Sequence, residues 1–98
     1  MPAYVINDME VTNPELLEEY KKLSAPTVKQ FGGRFIARGG RVVALEGEWN
    51  PQRVVILEFP TLEQAMAWAE SAEYAPAKRL RQKASKSKLI VVEGVGLL

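Results

Sequence analysis

Two stretches, one in the middle and one near the end of the chain, carry apolar residues on both of their alternating faces. They are residues 53–59, Arg-Val-Val-Ile-Leu-Glu-Phe, and residues 88–95, Lys-Leu-Ile-Val-Val-Glu-Gly-Val. A strand with one face in water alternates apolar and polar residues, because successive side chains point to opposite sides of the sheet. These two stretches do not alternate, so we expect their sheet to be covered on both faces.

Three further stretches have the pattern of strands, and two of them are predicted to form a hairpin. The three stretches are residues 3–11, 34–38 and 41–47. Gly39 and Gly40 separate the second from the third, and a two-residue glycine turn is typical of a β-hairpin.

Helices are predicted between these strands. The first begins at Thr12-Asn13-Pro14-Glu15, where a capping side chain precedes a proline and an acid, and it ends at Gly32-Gly33. Pro26 lies inside this helix and is expected to kink or restart it. A second helix begins at Thr61, which is spaced to form a capping box with Gln64.

A further short helix, over residues 74–84, precedes the last strand. With the hairpin in the middle, the main elements follow the order strand, helix, strand, strand, helix, strand. This order favours an α+β fold of the ferredoxin-like kind (βαββαβ), with an antiparallel sheet and its helices on one face. The other face then exposes about half of the apolar side chains of residues 53–59 and 88–95. Such a patch marks an interface, so we predict a homodimer in which two open sheet faces meet.

Composition excludes several classes of function. The 98 residues are enough for one domain, residues 1–98, and the net charge of +1 gives no field that attracts nucleic acid or membranes. The chain contains no cysteine and no histidine, which removes disulfides, imidazole-based catalytic triads and histidine-held haem, and makes zinc binding improbable. We therefore expect no cofactor and no metal. Since no apolar run approaches a membrane span and residues 1–6 do not resemble a signal peptide, we expect a cytoplasmic protein.

Several short motifs, taken in their order along the chain, resemble the domain-of-unknown-function family 1330. They are Gly32-Gly33-Arg34-Phe35, Ala37-Arg38-Gly39-Gly40, Leu45-Glu46-Gly47-Glu48-Trp49, Glu58-Phe59-Pro60, Ala67-Trp68 and Ser71-Ala72-Glu73-Tyr74. The resemblance covers essentially the whole chain and implies a dimeric α+β barrel. It implies no settled activity. Relatives in the wider fold group include cofactor-free monooxygenases of antibiotic biosynthesis, muconolactone isomerases and haem-dependent enzymes.

Five residues are candidates for a site. A carboxylate in an apolar setting can act as a proton-abstracting base, and Asp8 is our candidate for that role. Arg38 would anchor an anion, or would be a solvated charge at the hairpin. Trp68, Ser71 and Tyr74 would wall a substrate cleft at the end of the second helix, or would pack and cap that helix.

The remaining charged groups have mainly structural interpretations. Glu58 and Glu93 are polar residues in apolar strands, and each would pair with one of several arginines or lie at a solvated strand end. The candidate arginines are Arg34, Arg38, Arg53 and Arg81. The basic run of residues 78–88 would solvate a helix, although a nucleic-acid contact is an alternative.

These observations lead to two hypotheses. The first is a cytoplasmic homodimer that binds a small organic molecule or anion between sheet and helices, with cofactor-independent isomerase or monooxygenase chemistry. Asp8 would then be catalytic and Arg38, Trp68, Ser71 and Tyr74 would bind substrate. The alternative is a non-catalytic ligand-binding or structural dimer, and the two differ in whether polar groups converge inside a pocket.

Overall fold

Four strands and three helices lie within residues 1–96, the part of the chain that the computed structural model describes. The last two positions of the predicted domain 1–98 lie outside the described residues. The elements are β1 (Ala3–Val11), α1 (Pro14–Gln30), β2 (Arg34–Arg38), β3 (Arg53–Phe59), α2 (Leu62–Glu70), α3 (Ala75–Ala84) and β4 (Ser85–Glu93). The sheet has the order β2-β3-β1-β4, and every neighbouring pair is antiparallel. This is the predicted ferredoxin-like α+β arrangement.

The two faces of the sheet have different surroundings. Along β1, the side chains of Val5, Asn7 and Met9 are buried on the face that the helices cover. Residues between them point the other way, and the register sets Ile6 between Ile56 of β3 and Ile90 of β4. The face opposite the helices therefore carries a row of three isoleucines across β3, β1 and the edge strand β4, as the two-sided strand pattern predicts.

Local chemistry explains where α1 begins and ends. The side chain of Asn13 accepts a hydrogen bond from the Leu16 N–H at 3.2 Å, and Pro14 occupies the first turn. The helix continues through Pro26 instead of restarting there. It ends where Gly32 adopts a φ of +80°, a conformation that glycine reaches without steric cost.

The helices before β4 agree with the prediction. The Thr61 side chain accepts a hydrogen bond from the Gln64 N–H at 3.1 Å, which caps α2. The predicted helix over residues 74–84 is α3, and β4 follows it directly, so β4 occupies Ser85–Glu93 where residues 88–95 were expected. No helix within the described residues is long and apolar enough to span a membrane.

The predicted strand at residues 41–47 is wrong. β2 and β3 do pair as antiparallel neighbours, but residues 39–52 join them as a long connection in which the structure shows no strand. Gly39 turns the chain with a φ of +70°, while its N–H bonds the Val54 carbonyl at 3.1 Å. The chain leaves the sheet at this point, so residues 41–47 have no neighbouring strand within residues 1–96.

Candidate functional site

A small cavity lies between the helix-covered face of the sheet and α1. Its volume is about 30 Å³, which is room for about two water molecules. The apolar part of its lining comes from all layers of the fold and includes Val5, Val28, Val55, Leu57 and Trp68.

Two residues that line this cavity each have a buried polar atom without a hydrogen-bond partner among the described residues. Asn7 is only 5% exposed, and its Oδ1 makes no hydrogen bond to any described residue. The Nε of Arg53 is also buried and unpaired within residues 1–96, and both residues line the cavity. An unsatisfied buried polar group costs about 1–3 kcal/mol. One acceptor and one charged donor are thus held unpaired against the same space.

The sheet register places these two residues side by side. Asn7 lies opposite Val55, and Met9 lies opposite Arg53, so Asn7 and Arg53 are diagonal neighbours on adjacent strands of the same face. The guanidinium of Arg53 lies across Gly39, where any Cβ would overlap it. Glycine at position 39 therefore serves both the turn of the chain and the placement of Arg53.

The charges that line the cavity are all positive. Lys21, Arg38 and Arg53 contribute to its lining, and no carboxylate does so in the part of the chain that the structure describes. The guanidinium carbon of Arg38 lies 4.1 Å from the centre of the Phe35 ring, within the range of a cation–π contact. Lys21 bonds Glu18 at 2.9 Å. The arrangement suits an anion that also presents apolar surface.

The aromatic residues of the candidate site form one buried stack. The rings of Trp68 and Tyr74 lie 4.1 Å apart between centroids, and Phe59 packs 5.5 Å from Trp68. Trp68 lines the cavity, and its Nε1–H donates to Thr27 Oγ1 at 3.0 Å. Trp68 therefore forms part of the cavity wall, whereas Tyr74, predicted to wall the cleft with it, packs against Trp68 and does not line the cavity.

Two tyrosine hydroxyls meet next to this stack. The Tyr20 and Tyr74 hydroxyl oxygens are 2.9 Å apart, and the Nε–H of Arg81 donates to Tyr74 at 3.2 Å. Burial, with a smaller contribution from Tyr74, raises the pKa of Tyr20 well above its ordinary value. Tyr20 lines the cavity as a protonated hydroxyl at neutral pH, so it can form hydrogen bonds but cannot act as a base.

Ser71 lies in the turn between α2 and α3. Its hydroxyl donates to the Trp68 carbonyl at 2.8 Å and accepts from the Tyr74 N–H at 3.0 Å. Both contacts hold the turn that positions Trp68 and Tyr74, and Ser71 is not among the residues that line the cavity.

Asp8 lies on the opposite side of the sheet from Asn7. Its Oδ2 accepts a hydrogen bond from Trp49 Nε1 at 2.9 Å, beside a groove of about 520 Å³ that Lys86 and Lys88 also line. The structure thus brings Arg38 and Trp68 together around one cavity and separates Asp8 from them.

Sequence reasoning did not select Asn7, Arg53 or Tyr20 as site residues. The available signal was the alternation of β1, in which Asn7 shares a face with Val5 and Met9.

The predicted ion pair of Glu58 is present, since its carboxylate bonds the Arg34 Nε at 2.8 Å, while Glu93 is exposed at the end of β4. No cluster of acidic residues that could hold a metal ion occurs within residues 1–96.

Sheet order and cavity together define a ferredoxin-like α+β protein with a cation-lined apolar cavity beneath its first helix. The chain belongs to the family described as domain of unknown function (DUF1330), whose model matches residues 2–95. The resemblance inferred from the short motifs is thereby confirmed.

Solved structures with the same fold come from several organisms. The chain is similar to RPA0582, a protein of unknown function from Rhodopseudomonas palustris, with 22% identity, a TM-score of 0.75, and coverage of 98% of this chain and 84% of that one. It is similar to SnoaB, a cofactor-independent oxygenase from Streptomyces nogalater, with 13% identity, a TM-score of 0.66, and coverage of 99% and 96%. It is also similar to a dimeric ferredoxin-like protein of unknown function from Jannaschia sp. CCS1, with 10% identity, a TM-score of 0.66, and coverage of 96% and 100%.

At these identities the structural likeness shows the fold alone. Among curated proteins, none matches the chain.

Proposed function

We propose that this protein is a homodimer that binds a small organic anion in the cavity between the sheet and α1. The observation that carries the proposal is the pair of buried, unpartnered polar atoms, Asn7 Oδ1 and Arg53 Nε, in one cavity. A protein that gained nothing from this pair would be more stable with both groups replaced by apolar ones. A ligand that supplies the missing partners gives the arrangement a purpose.

The chemistry of the two atoms defines the ligand. Arg53 Nε–H needs an acceptor, and Asn7 Oδ1 needs a donor, so the ligand carries a carboxylate or enolate oxygen next to a hydroxyl group. Val55, Leu57 and Trp68 offer apolar contact to the remainder. Hydroxy acids with a small apolar or aromatic body combine these features.

The cavity must widen to admit such a molecule. Its volume of about 30 Å³ is far below that of a typical ligand pocket. Arg38 is an exposed long side chain at its border and Lys21 is partly exposed, so both can swing outward without disturbing the core. In this account the two side chains form the entrance, and Asn7 and Arg53 lie at the inner end.

Binding can be followed at Trp68. In the variant Trp49→Phe, Trp68 is the only indole, and its N–H signal in an NMR spectrum reports on the cavity. We expect 2-hydroxybenzoate to shift this signal at lower concentration than benzoate, and benzyl alcohol to leave it unchanged. Arg53→Met should abolish the shift, whereas Arg79→Met, at an exposed site on α3, should retain it. An equal response in both variants would contradict the proposal.

The homodimer part of the proposal rests on the open face of the sheet. Ile90 and Val92 are 62% and 45% exposed there, and their contact with a second copy would remove a large apolar patch from water. The similarity to a protein described as dimeric supports this assembly.

Cofactor-independent oxygenation or isomerisation is a second candidate, motivated by the likeness to SnoaB. The guanidinium groups that line the cavity would stabilise an enolate formed from the ligand. No lining carboxylate within residues 1–96 can take the proton, so the substrate would have to be acidic enough to lose it to water and bind as its enolate. The sequence prediction that Asp8 is the base of a pocket between sheet and helices stays a prediction, and Asp8 does not line this cavity.

A further inference from the structure

Residues 41–48, here called the arm, follow β2 and have the composition of a strand without forming one within residues 1–96. All eight positions are exposed, and Val43 and Leu45 are 61% and 95% exposed. Large aliphatic side chains held this far into water in a segment of strand-like pattern indicate a missing partner.

A suitable partner exists at the other end of the sheet. Within residues 1–96, β4 is an edge strand, since β1 is the only strand that pairs with it. Its other side presents backbone N–H and C=O groups that no described strand pairs, beside exposed Ile90 and Val92. A long apolar edge of this kind readily accepts another strand.

The arm and β4 are complementary in sequence when they run antiparallel with Arg41 opposite Glu93. The further pairs are Val42 with Val92, Val43 with Val91, Ala44 with Ile90, Leu45 with Leu89, Glu46 with Lys88, Gly47 with Ser87, and Glu48 with Lys86. Every charged arm residue meets the opposite charge, and every apolar one meets an apolar residue, which is the pairing that stabilises sheets. In the parallel alignment, Arg41 lies opposite Lys86 and Glu48 lies opposite Glu93, so like charges meet at both ends.

This β4 must belong to another molecule. The arm follows β2, and strands β3 and β1 separate β2 from β4 of the same chain. When two open faces meet about a two-fold axis parallel to the strands, the β2 edge of one copy lies beside the β4 edge of the other. The strand directions in the sheet make those two edges antiparallel.

We propose that the arm of each protomer pairs as an antiparallel strand with β4 of a second copy, with Val43 opposite Val91. The inference rests on the proposed homodimer and specifies its contact. It also explains why a strand-like sequence is unpaired in the single chain, because its partner strand belongs to another protomer.

Disulfide crosslinking tests the register, because the chain has no cysteine of its own. Val43→Cys and Val91→Cys are prepared separately, mixed and oxidised, so that only a link between molecules can join the two positions. Cross-strand neighbours lie within the Cα separation of about 4.4–6.8 Å that a disulfide needs. Val43→Cys mixed with Lys86→Cys, five residues out of register, is the matched control.

We expect the 43–91 mixture to form covalent dimer about tenfold faster than the control, since paired residues are held at high effective concentration. Sedimentation of the unmodified protein separates the two claims. A dimer whose 43–91 mixture links no faster than the control overturns the arm pairing and leaves the homodimer standing. A monomer at micromolar concentration overturns both.

Discussion

The amide oxygen of Asn7 and the Nε of Arg53 face one cavity from adjacent strands, and neither has a hydrogen-bond partner among the described residues. No other buried side-chain nitrogen or oxygen atom within residues 1–96 lacks a partner. Thr27 Oγ1, for example, donates to the Ser24 carbonyl and accepts from Trp68. This contrast supports the ligand site that we propose at Asn7 and Arg53.

The first prediction concerns stability. Asn7→Leu should raise the free energy of unfolding by about 1–3 kcal/mol, because it replaces a buried unsatisfied amide with an apolar side chain of similar size. Urea denaturation measures the change. Thr27→Val is the control and should lower stability by about 1–2 kcal/mol, since it leaves Trp68 Nε1 without its acceptor. Equal losses in both variants would mean that Asn7 supports the fold.

The second prediction concerns the placement of Arg53. Gly39 and Gly47 have φ values of +70° and +82°, so alanine at either position is strained by about 1 kcal/mol. Of the two, Gly39 is the position where the added Cβ would displace the Arg53 guanidinium, since no atom of residues 1–96 lies within 4 Å of the Cβ position at Gly47. Gly39→Ala should therefore weaken binding of 2-hydroxybenzoate, and Gly47→Ala should not. Calorimetric titration of both variants checks this, and equal affinities would contradict the role given to Arg53.

The third prediction concerns alkaline pH. The folded pKa of Tyr20 is raised, so above about pH 10 the unfolded chain releases a proton that the folded chain keeps. The contribution of Tyr20 to the free energy of unfolding is complete below pH 10. Above that pH the contribution falls by about 1.4 kcal/mol per pH unit. Tyr20→Phe should thus show a shallower decline between pH 10 and 11 in urea denaturation. If the free energy of unfolding declined equally with pH in Tyr20→Phe and in the unmodified protein, the burial of an ionisable Tyr20 would be contradicted.

The fourth prediction concerns Asp8. Because Asp8 lies on the opposite face of the sheet from Asn7, Asp8→Asn should leave the affinity of the cavity for 2-hydroxybenzoate unchanged. A loss as large as that of Arg53→Met would contradict the separation of the two sides. Any role of Asp8 as a base would then have to be sought in the cavity after all.

The fifth prediction concerns the dimer. Ile6 lies at the centre of the isoleucine row on the open face, between Ile56 and Ile90. If the open faces meet as proposed, the unmodified protein should sediment as a dimer at micromolar concentration and Ile6→Asp as a monomer, because the variant would bury a charge between two sheets. Leu23→Asp, on the solvent side of α1, is the control and should remain dimeric.

The fold was predictable because its signals are local or follow from chain connectivity. The Asn13 and Thr61 caps and the two-sided strands β3 and β4 each leave a pattern in the sequence. The strand expected at residues 41–47 was wrong for a physical reason. Strand propensity describes a segment that fits a sheet, but it does not say whether the neighbouring strand lies in the same chain.

The site was less predictable than the fold. Asp8 and Asn7 are adjacent polar residues in one strand, and a shift of one residue reverses which of them faces the helices. Because Val5 and Met9 are buried, Asn7, which shares their face of the strand, is the residue that faces the helices. The guanidinium of Arg53 lies against Gly39, where a Cβ would overlap it, and no local sequence pattern predicts this contact.

A crystal structure of the protein grown with 2-hydroxybenzoate tests the central claim most directly. We predict density for the ligand beneath α1, with its carboxylate on Arg53 Nε, its hydroxyl on Asn7 Oδ1, and Lys21 and Arg38 displaced outward. A closed cavity in which waters alone satisfy Asn7 and Arg53, at a ligand concentration that saturates the crystal, would contradict it.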